Sequence, residues 1–231
     1  MNAARQPSPN ERKRVVVMIS GRGSNLGALI SASMASDFPC RIVGVVSDKA
    51  DAGGLQLAAD YHIATHVVER KDHADRESHE AAIQAVLEAM RPDVICLAGY
   101  MRLLSGDFVA KWMGAMINIH PSLLPSFTGL DTHQRVLTHQ VRLHGCSVHF
   151  VTEGMDEGPL IAQAAVPVLP NDDVESLAAR VLKAEHRLYP SALRLVAEGK
   201  VKITDSGTVL LRDYPSADDD AVLFSHEIDD E

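Results

Sequence analysis

Two residues with side chains suited to catalysis, Asn118 and His120, lie two positions apart at the end of the apolar segment Met116–His120. The segment predicts a short buried β-strand, which Pro121 ends because proline has no backbone donor. Residues two apart on a strand share a face, so we expect the amide and the imidazole side by side. This pair suits a reaction that needs an oxyanion donor and a proton carrier. It also fits a polar strand end bonded only to its own loop.

Two acidic residues are candidates for a third polar group. Asp156 lies between Gly154 and Gly158. Next to His120 it would orient the imidazole and favour its charged form, although Asp and Gly are also ordinary turn residues. Glu185 lies on or beside the apolar stripe of a predicted helix, where a carboxylate needs a partner. That partner is either a ligand amine or hydroxyl, or a structural salt bridge.

A glycine-rich loop, Ser-Gly-Arg-Gly-Ser-Asn at residues 20–25, follows an apolar segment and precedes a helical one. Its convergent backbone amides and the helix dipole favour an anion, and Ser24 or Asn25 could cap the helix. The third glycine position of a dinucleotide fingerprint is Leu26, and the Gly-Lys-Ser/Thr of a P-loop is missing. The loop therefore predicts a site for a single phosphate, or a tight turn with no ligand.

The histidine and cysteine patterns favour a cytoplasmic protein without a metal. Eleven histidines show no HExxH spacing, and the three cysteines are scattered, so we expect no metal and a reducing compartment. No apolar run reaches the roughly 18 residues of a membrane span.

The net charge of −9 is concentrated at the C-terminal end of the chain. Residues 213–231 carry eight acidic side chains and no Lys or Arg, whereas the other residues carry 22 basic and 23 acidic side chains. This predicts a nearly neutral body with an acidic tail and no nucleic-acid surface.

The alternation of elements predicts an α/β fold with a Rossmann-like, doubly wound, mostly parallel sheet. Strands are expected at 14–19, 40–47, 65–68, 93–99 and 116–120, with helices at 26–34, 54–61, 73–90 and 107–113 between them. A helix at 129–138, strands at 146–152 and 160–168, a helix at 173–199 kinked or broken at Pro190, and a hairpin at 201–211 then predict a mixed, partly antiparallel C-terminal extension. We expect one domain at 14–212, with a nucleotide-phosphate half at about 14–113 and a catalytic half at about 114–212, between disordered tails at 1–13 and 213–231.

Four motifs in order carry a family resemblance: residues 19–26 (ISGRGSNL), 97–102 (LAGYMR), 118–125 (NIHPSLLP) and 149–152 (HFVT) before Asp156. The chain resembles the phosphoribosylglycinamide formyltransferases, folate-dependent enzymes of purine synthesis. The Asn-x-His-x-Ser-Leu-Leu-Pro motif alone marks the wider superfamily that uses formyltetrahydrofolate. The resemblance covers residues 14–199.

The resemblance implies a role for each matching residue. The catalytic trio would be Asn118, His120 and Asp156. Glycinamide ribonucleotide would bind at Gly23, Ser24, Asn25, Leu182, Lys183, Ala184 and Glu185. Folate would bind at Arg76, Met101, Arg102, Leu103, Leu104, Asn118, Thr152, Glu153, Gly154, Met155 and Asp156.

The resemblance also implies the chemistry: the glycinamide amine attacks the formyl carbon of 10-formyltetrahydrofolate, a co-substrate, without a metal or a covalent enzyme intermediate. The partners would be these small molecules, with no nucleic acid or membrane, and the enzyme would be a monomer or homodimer. Two residues depart from the family pattern: Asp131 replaces a common His, and Asp48 a common Asn.

Other functions remain open at this stage. Methionyl-tRNA formyltransferase normally adds a C-terminal domain, for which residues 200–231 leave little room. Formyltetrahydrofolate hydrolase normally adds an N-terminal domain, for which residues 1–13 leave little room. A nucleotide-sensing module would bind ligand without turnover and would not need Asn118, His120 or Asp156.

Overall fold

A computed structural model describes residues 12–204 and 207–212, which form a seven-stranded sheet covered by helices on both faces. The strands are β1 (Lys13–Ile19), β2 (Cys40–Ser47), β3 (Thr65–Val67), β4 (Val94–Leu97), β5 (Met116–His120), β6 (Leu143–Phe150) and β7 (Leu160–Pro167). The helices are α1 (Ser24–Ser33), α2 (Gly53–Asp60), α3 (Arg76–Met90), α4 (Gly106–Lys111), α5 (Thr132–Thr138) and α6 (Val174–Ala197).

The strand order confirms the predicted α/β fold class. The order is β3-β2-β1-β4-β5-β6-β7, with β1 to β5 pairing in parallel and β6 and β7 antiparallel. The chain reverses direction across the sheet between β1 and β4, where doubly wound folds open a crevice at the carboxyl ends of their strands. The loops after β1, β4 and β5 therefore meet at one edge.

Residues 15–19 of β1 and all of β4, at the centre of the sheet, are apolar because both faces of these strands are covered. Residues 15–19 of β1 are fully buried. One face packs against Leu29 of α1 and Tyr189 of α6, and the other against Leu87 of α3 and Phe108 of α4. A continuous β-branched segment satisfies both faces, as expected for a parallel sheet.

Helix α6 packs against the sheet beneath the crevice and contacts β4 and β5. Asp173 and Ser176 form a capping box at its start. The buried Tyr189 hydroxyl lies 2.9 Å from the carbonyl oxygen of Leu97, the last residue of β4, and 3.2 Å from that of Ile117 in β5. A kink or a break was expected at Pro190; the helix continues for seven residues beyond it, so there is no break. Burial of residues on both sides of the proline holds the two turns together despite the missing backbone bond.

The remaining element boundaries shift by a few residues from the expected ones. Strand β1 begins at Lys13, inside the predicted N-terminal tail, and a hairpin of β8 (Val201–Ile203) and β9 (Val209–Leu211) forms as predicted. Residues 1–11 of the predicted N-terminal tail and the whole acidic segment lie outside the described residues. In the part of the chain that the structure describes, no helix combines the length and apolar character needed to cross a membrane.

Candidate active site

A pocket of about 730 Å³ opens at the crevice, within the size range of small-molecule sites. The loops after β4, β5 and β6 form its walls, with contributions from α1 and α6. Thirteen of the predicted site residues line it: Asn25, Met101, Arg102, Leu103, Leu104, Asn118, His120, Thr152, Glu153, Gly154, Met155, Asp156 and Glu185.

The structure brings the predicted trio together. Asn118 and His120 both line the pocket, as does part of Ile119 between them, while Ile117 and Ile119 belong to the core cluster that contains Tyr189 of α6. Asp156, 36 residues further along the chain, places its Oδ2 atom 3.3 Å from His120 Nδ1. The proximity that spacing alone could not give is therefore present.

The His120 ring faces a hydrogen-bond acceptor at each nitrogen. Its Nδ1 atom faces the Asp156 carboxylate, and its Nε2 atom lies 3.0 Å from the carbonyl oxygen of Phe127. A neutral imidazole donates from one nitrogen, whereas a protonated one donates from both. When the ring is protonated, each of its two N–H groups therefore has an acceptor within reach.

Asp156 also fixes the neighbouring loop. Its Oδ2 atom accepts a hydrogen bond from the Gly129 amide at 2.8 Å. Asp156 has φ of +57°, in the left-handed region that Asp tolerates better than most residues. One carboxylate thus ties the loop after β6 to His120 and to the loop after β5.

His149 is a site residue to which the sequence assigned no role. In the antiparallel β5–β6 pair it lies opposite Asn118, and its Nε2 atom is 3.1 Å from Asn118 Nδ2. Its Nδ1 atom lies 2.9 Å from the Phe150 carbonyl oxygen and donates to it, which leaves Nε2 to accept from the amide. Burial lowers the pKa of His149 and favours this neutral form. His149 therefore orients the Asn118 amide.

The Ser-Leu-Leu-Pro segment after His120 is tied to the sheet. The Ser147 hydroxyl of β6 donates to the Ser122 carbonyl oxygen and accepts from the Leu124 amide. Gln163 of β7 donates to Ser147 and to the Leu124 carbonyl oxygen. These buried contacts give the loop after β5 a fixed start.

The glycine-rich loop adopts a shape that requires Gly23. This residue is the N-cap of α1 with φ of +78°, and a Cβ atom there would lie 2.7 Å from the Gly54 Cα atom. Neither Ser24 nor Asn25 caps the helix as expected, because both lie inside it. The N-cap glycine has no side chain to accept from the first turn, so the first-turn amides are available to a ligand.

Asn25 of α1 and Glu185 of α6 contact each other in the lining of the pocket. Asn25 Nδ2 donates to Glu185 Oε2 at 2.7 Å, and Asn25 Oδ1 is buried without a protein partner among the described residues. Burial raises the pKa of Glu185, although the Asn25 hydrogen bond opposes the shift. Among the described residues, the partner of Glu185 is therefore an amide that itself lines the pocket, and not the cation of a structural salt bridge.

Some of the predicted folate residues also line a second, adjoining cavity. This cavity of about 370 Å³ is lined by Arg76, Glu80 and the segment from Met101 to Leu104, among others. Arg76 pairs with Glu80, which also accepts from the Ser105 amide. The buried Asp48, one of the two departures from the family pattern, pairs with Arg102 at 2.7 Å.

Some predicted binding residues lie outside the lining of the main pocket. Gly23 and Ser24 belong to the loop that leads into Asn25, and Arg76 lies at the adjoining cavity. Lys183 is exposed, and Ala184 packs against the core cluster between α5 and α6. The binding roles of these residues and of Leu182 remain predictions.

Asp131, the second departure from the family pattern, lines the pocket as the N-cap of α5, with φ of +55°. The nearby His133 and His144 bond to each other at 3.0 Å, and burial lowers the pKa of both. Within residues 12–204 and 207–212, no three His, Cys, Asp or Glu side chains group as they would around a metal ion. The absence of a metal requirement stays a prediction.

Comparison with known proteins identifies the family. A family model described as formyl transferase matches residues 13–193. The phosphoribosylglycinamide formyltransferase of Escherichia coli is 42% identical over 196 residues, covering 85% of this chain and 92% of that protein. The crystal structure of phosphoribosylglycinamide formyltransferase from Brucella melitensis is 62% identical, with a TM-score of 0.78, and covers 80% of this chain and 96% of that chain.

Some relatives are much longer proteins. The trifunctional purine biosynthetic protein adenosine-3 of Bos taurus is 49% identical over 199 residues, which is 86% of this chain and 20% of that protein. This chain thus spans about a fifth of the length of that relative. The family model and the E. coli relative match most of the folded body, and the structure places the shared motifs around one pocket: the chain belongs to the formyl transferase family, among the phosphoribosylglycinamide formyltransferases.

Proposed function

We propose that this protein transfers the formyl group of 10-formyltetrahydrofolate to the amine of glycinamide ribonucleotide. The observation that carries the proposal is the contact between His120 and Asp156 beside Asn118, at one end of a pocket whose other end is a phosphate-type loop. A proton carrier, an oxyanion donor and an anion site in one crevice are what this reaction needs.

The nucleotide binds with its phosphate at the start of α1. The amides of Gly23, Ser24 and Asn25 point to an anion that the helix dipole favours. Glu185 lies next to Asn25 and accepts hydrogen bonds from the substrate beyond the phosphate. The glycinamide amine then extends towards Asn118.

The folate binds along the loops after β4 and β6. Exposed apolar side chains at Met101, Leu103 and Met155 border the pocket and cover the pterin and benzoyl rings. Arg76 and Arg102 lie at the adjoining cavity, where they bind the acidic end of the folate. The salt bridge to the buried Asp48 holds Arg102 in place.

In the transfer step the neutral amine nitrogen attacks the formyl carbon, and the carbonyl electron pair moves to the oxygen. Asn118 Nδ2 donates a hydrogen bond to this oxyanion, and so does protonated His120, through the Nδ1–H that it shares with Asp156. The attacking nitrogen loses a proton, the folate N10 gains one through His120, and the bond between carbon and N10 breaks. The carbonyl re-forms as this bond breaks, the products are the N-formyl nucleotide and tetrahydrofolate, and Asp156 orients His120 and stabilises its protonated form while it relays the proton.

The assay mixes the purified protein with 10-formyltetrahydrofolate and follows absorbance with and without glycinamide ribonucleotide. Conversion of the folate when the nucleotide is present, and not without it, is the expected result. Conversion without the nucleotide would instead indicate a hydrolase. A folded protein that converts no folate in either case would contradict the proposed transferase and favour a binding module.

A further inference from the structure

The carbonyl that faces His120 belongs to a strained residue. Phe127 has φ of +55°, in the left-handed region that bulky residues rarely adopt, and its carbonyl oxygen lies 3.0 Å from His120 Nε2. Such a conformation persists where the surroundings over-determine it. The contacts around the loop of residues 127–130 therefore decide whether this acceptor keeps its place.

Arg135 of α5 makes those contacts. Its Nη1 atom donates to the carbonyl oxygen of Thr128 and, at 3.3 Å, to that of Leu130. Its guanidinium carbon lies 5.5 Å from the centre of the Phe127 ring. One cationic side chain thus holds the loop on both sides of Gly129 and covers the ring of the strained residue.

The helix in turn anchors Arg135. The Arg135 amide donates to the Asp131 carbonyl oxygen at 3.0 Å, and its own carbonyl oxygen lies 2.7 Å from His139 Nδ1. The His139 ring packs edge-on against Phe127 at 5.6 Å. The clamp is therefore built on a helix, where its geometry is more rigid than it would be on a loop.

We propose that Arg135 is a positioning residue for the transfer reaction. It does not line the pocket and acts through the loop, which presents the Phe127 carbonyl to His120 Nε2 and the Gly129 amide to Asp156 Oδ2. Arg135 thus holds the loop that bonds both to His120 and to its partner Asp156. The inference rests on the proposed catalytic roles of His120 and Asp156.

The test compares steady-state kinetics of Arg135→Met, Arg135→Lys and Arg142→Gln. Arg135→Met keeps an unbranched apolar stem and loses the guanidinium donors and the charge, so kcat should fall about tenfold to a hundredfold, as displaced catalytic groups do, while KM for the nucleotide stays unchanged. Arg135→Lys keeps the charge without the planar fork and should fall in between. Arg142 is exposed, and Arg142→Gln should match the parent enzyme.

A second comparison separates positioning from stability. In a His120→Ala background, Arg135→Met should lower kcat by less than about twofold further, because a residue that acts through His120 has nothing left to position. If Arg135→Met does not fold, the same cycle is run with Arg135→Lys. Parental kcat in both Arg135 variants, or a full additional loss in the His120→Ala background, would overturn the inference alone. Turnover retained by His120→Ala itself would overturn the proposed mechanism as well.

Discussion

The two ends of the pocket are built from different materials. At the end that we propose binds the phosphate (the phosphate end), the loop after β1 offers backbone amides, and its one left-handed residue is a glycine, Gly23. At the end that we propose carries out the transfer (the reaction end), the loops after β5 and β6 offer side chains and carbonyl groups, and non-glycine residues with positive φ recur at Phe127, Asp131 and Asp156. Binding an anion needs convergent N–H groups, whereas moving a proton needs an imidazole held between two fixed acceptors.

The difference in strain follows from this division. The other non-glycine residues with positive φ among the described ones, His62, Arg91 and Gln140, lie at or just beyond helix C-termini, where a left-handed residue is an ordinary ending. Those in the catalytic loops end no helix. Strain that contributes nothing to a helix end, and that persists beside the pocket, indicates a functional constraint.

The largest effect is expected at the reaction end. His120→Ala should lower kcat about 10²- to 10³-fold, because an oxyanion donor and the proton carrier are both lost. The variant should keep a parental circular dichroism spectrum. The exposed His66, at the far edge of the sheet, provides the matched control, and His66→Ala should turn over normally. Near-parental turnover in His120→Ala would contradict the mechanism.

Asp156→Asn should lower kcat about tenfold to a hundredfold, since it removes a charge-assisted hydrogen bond. The amide oxygen can still accept from Gly129, so the loop should stay in place. An unchanged kcat would argue against the pairing of Asp156 with His120.

A glycine substitution addresses the phosphate end. Gly23→Ala should destabilise the fold by about 1–3 kcal/mol, because the residue is left-handed and its Cβ atom would overlap Gly54. The variant should also raise KM for the nucleotide about tenfold or more, with kcat affected less. Gly21→Ala is the control, since a Cβ atom there meets nothing within 4 Å. Equal stability of the two variants, measured by urea unfolding, would refute this reading of the loop.

The smallest expected effect is a stability change at Glu185. Burial raises the pKa of this carboxyl, so its contribution to stability is present in full below the unfolded value, near pH 4, and is lost as pH rises through the folded value. Glu185→Gln mimics the protonated form and should match the parent at acid pH but unfold at a higher temperature at neutral pH. The exposed Glu88 provides the control, and Glu88→Gln should follow the parental profile. Parallel profiles for Glu185→Gln and the parent would contradict this.

Local patterns in the sequence predicted the elements of the sheet. The apolar run of β1, the alternation of strands and helices, and the shared face of Asn118 and His120 depend on near neighbours in the chain. The position of Asp156 beside His120 came from the family motif, and the structure supplies the contact.

The missing parts of the site depend on long-range geometry. His149 orients Asn118 because of the register between β5 and β6, which residue spacing does not encode. The Phe127 carbonyl and the Gly129 amide are backbone groups, which every residue has, so no residue type marks them. The prediction that Ser24 or Asn25 caps α1 was wrong for a similar reason. The turn at Gly23 places the start of the helix two residues before the expected one.

Direct titration of glycinamide ribonucleotide into His120→Ala and Gly23→Ala tests the division of the pocket most directly. The account predicts that His120→Ala binds the nucleotide with parental affinity although its turnover has collapsed, and that Gly23→Ala binds it about tenfold more weakly. Equal losses of affinity in the two variants would contradict the account, because binding and proton transfer would then depend on the same end of the pocket.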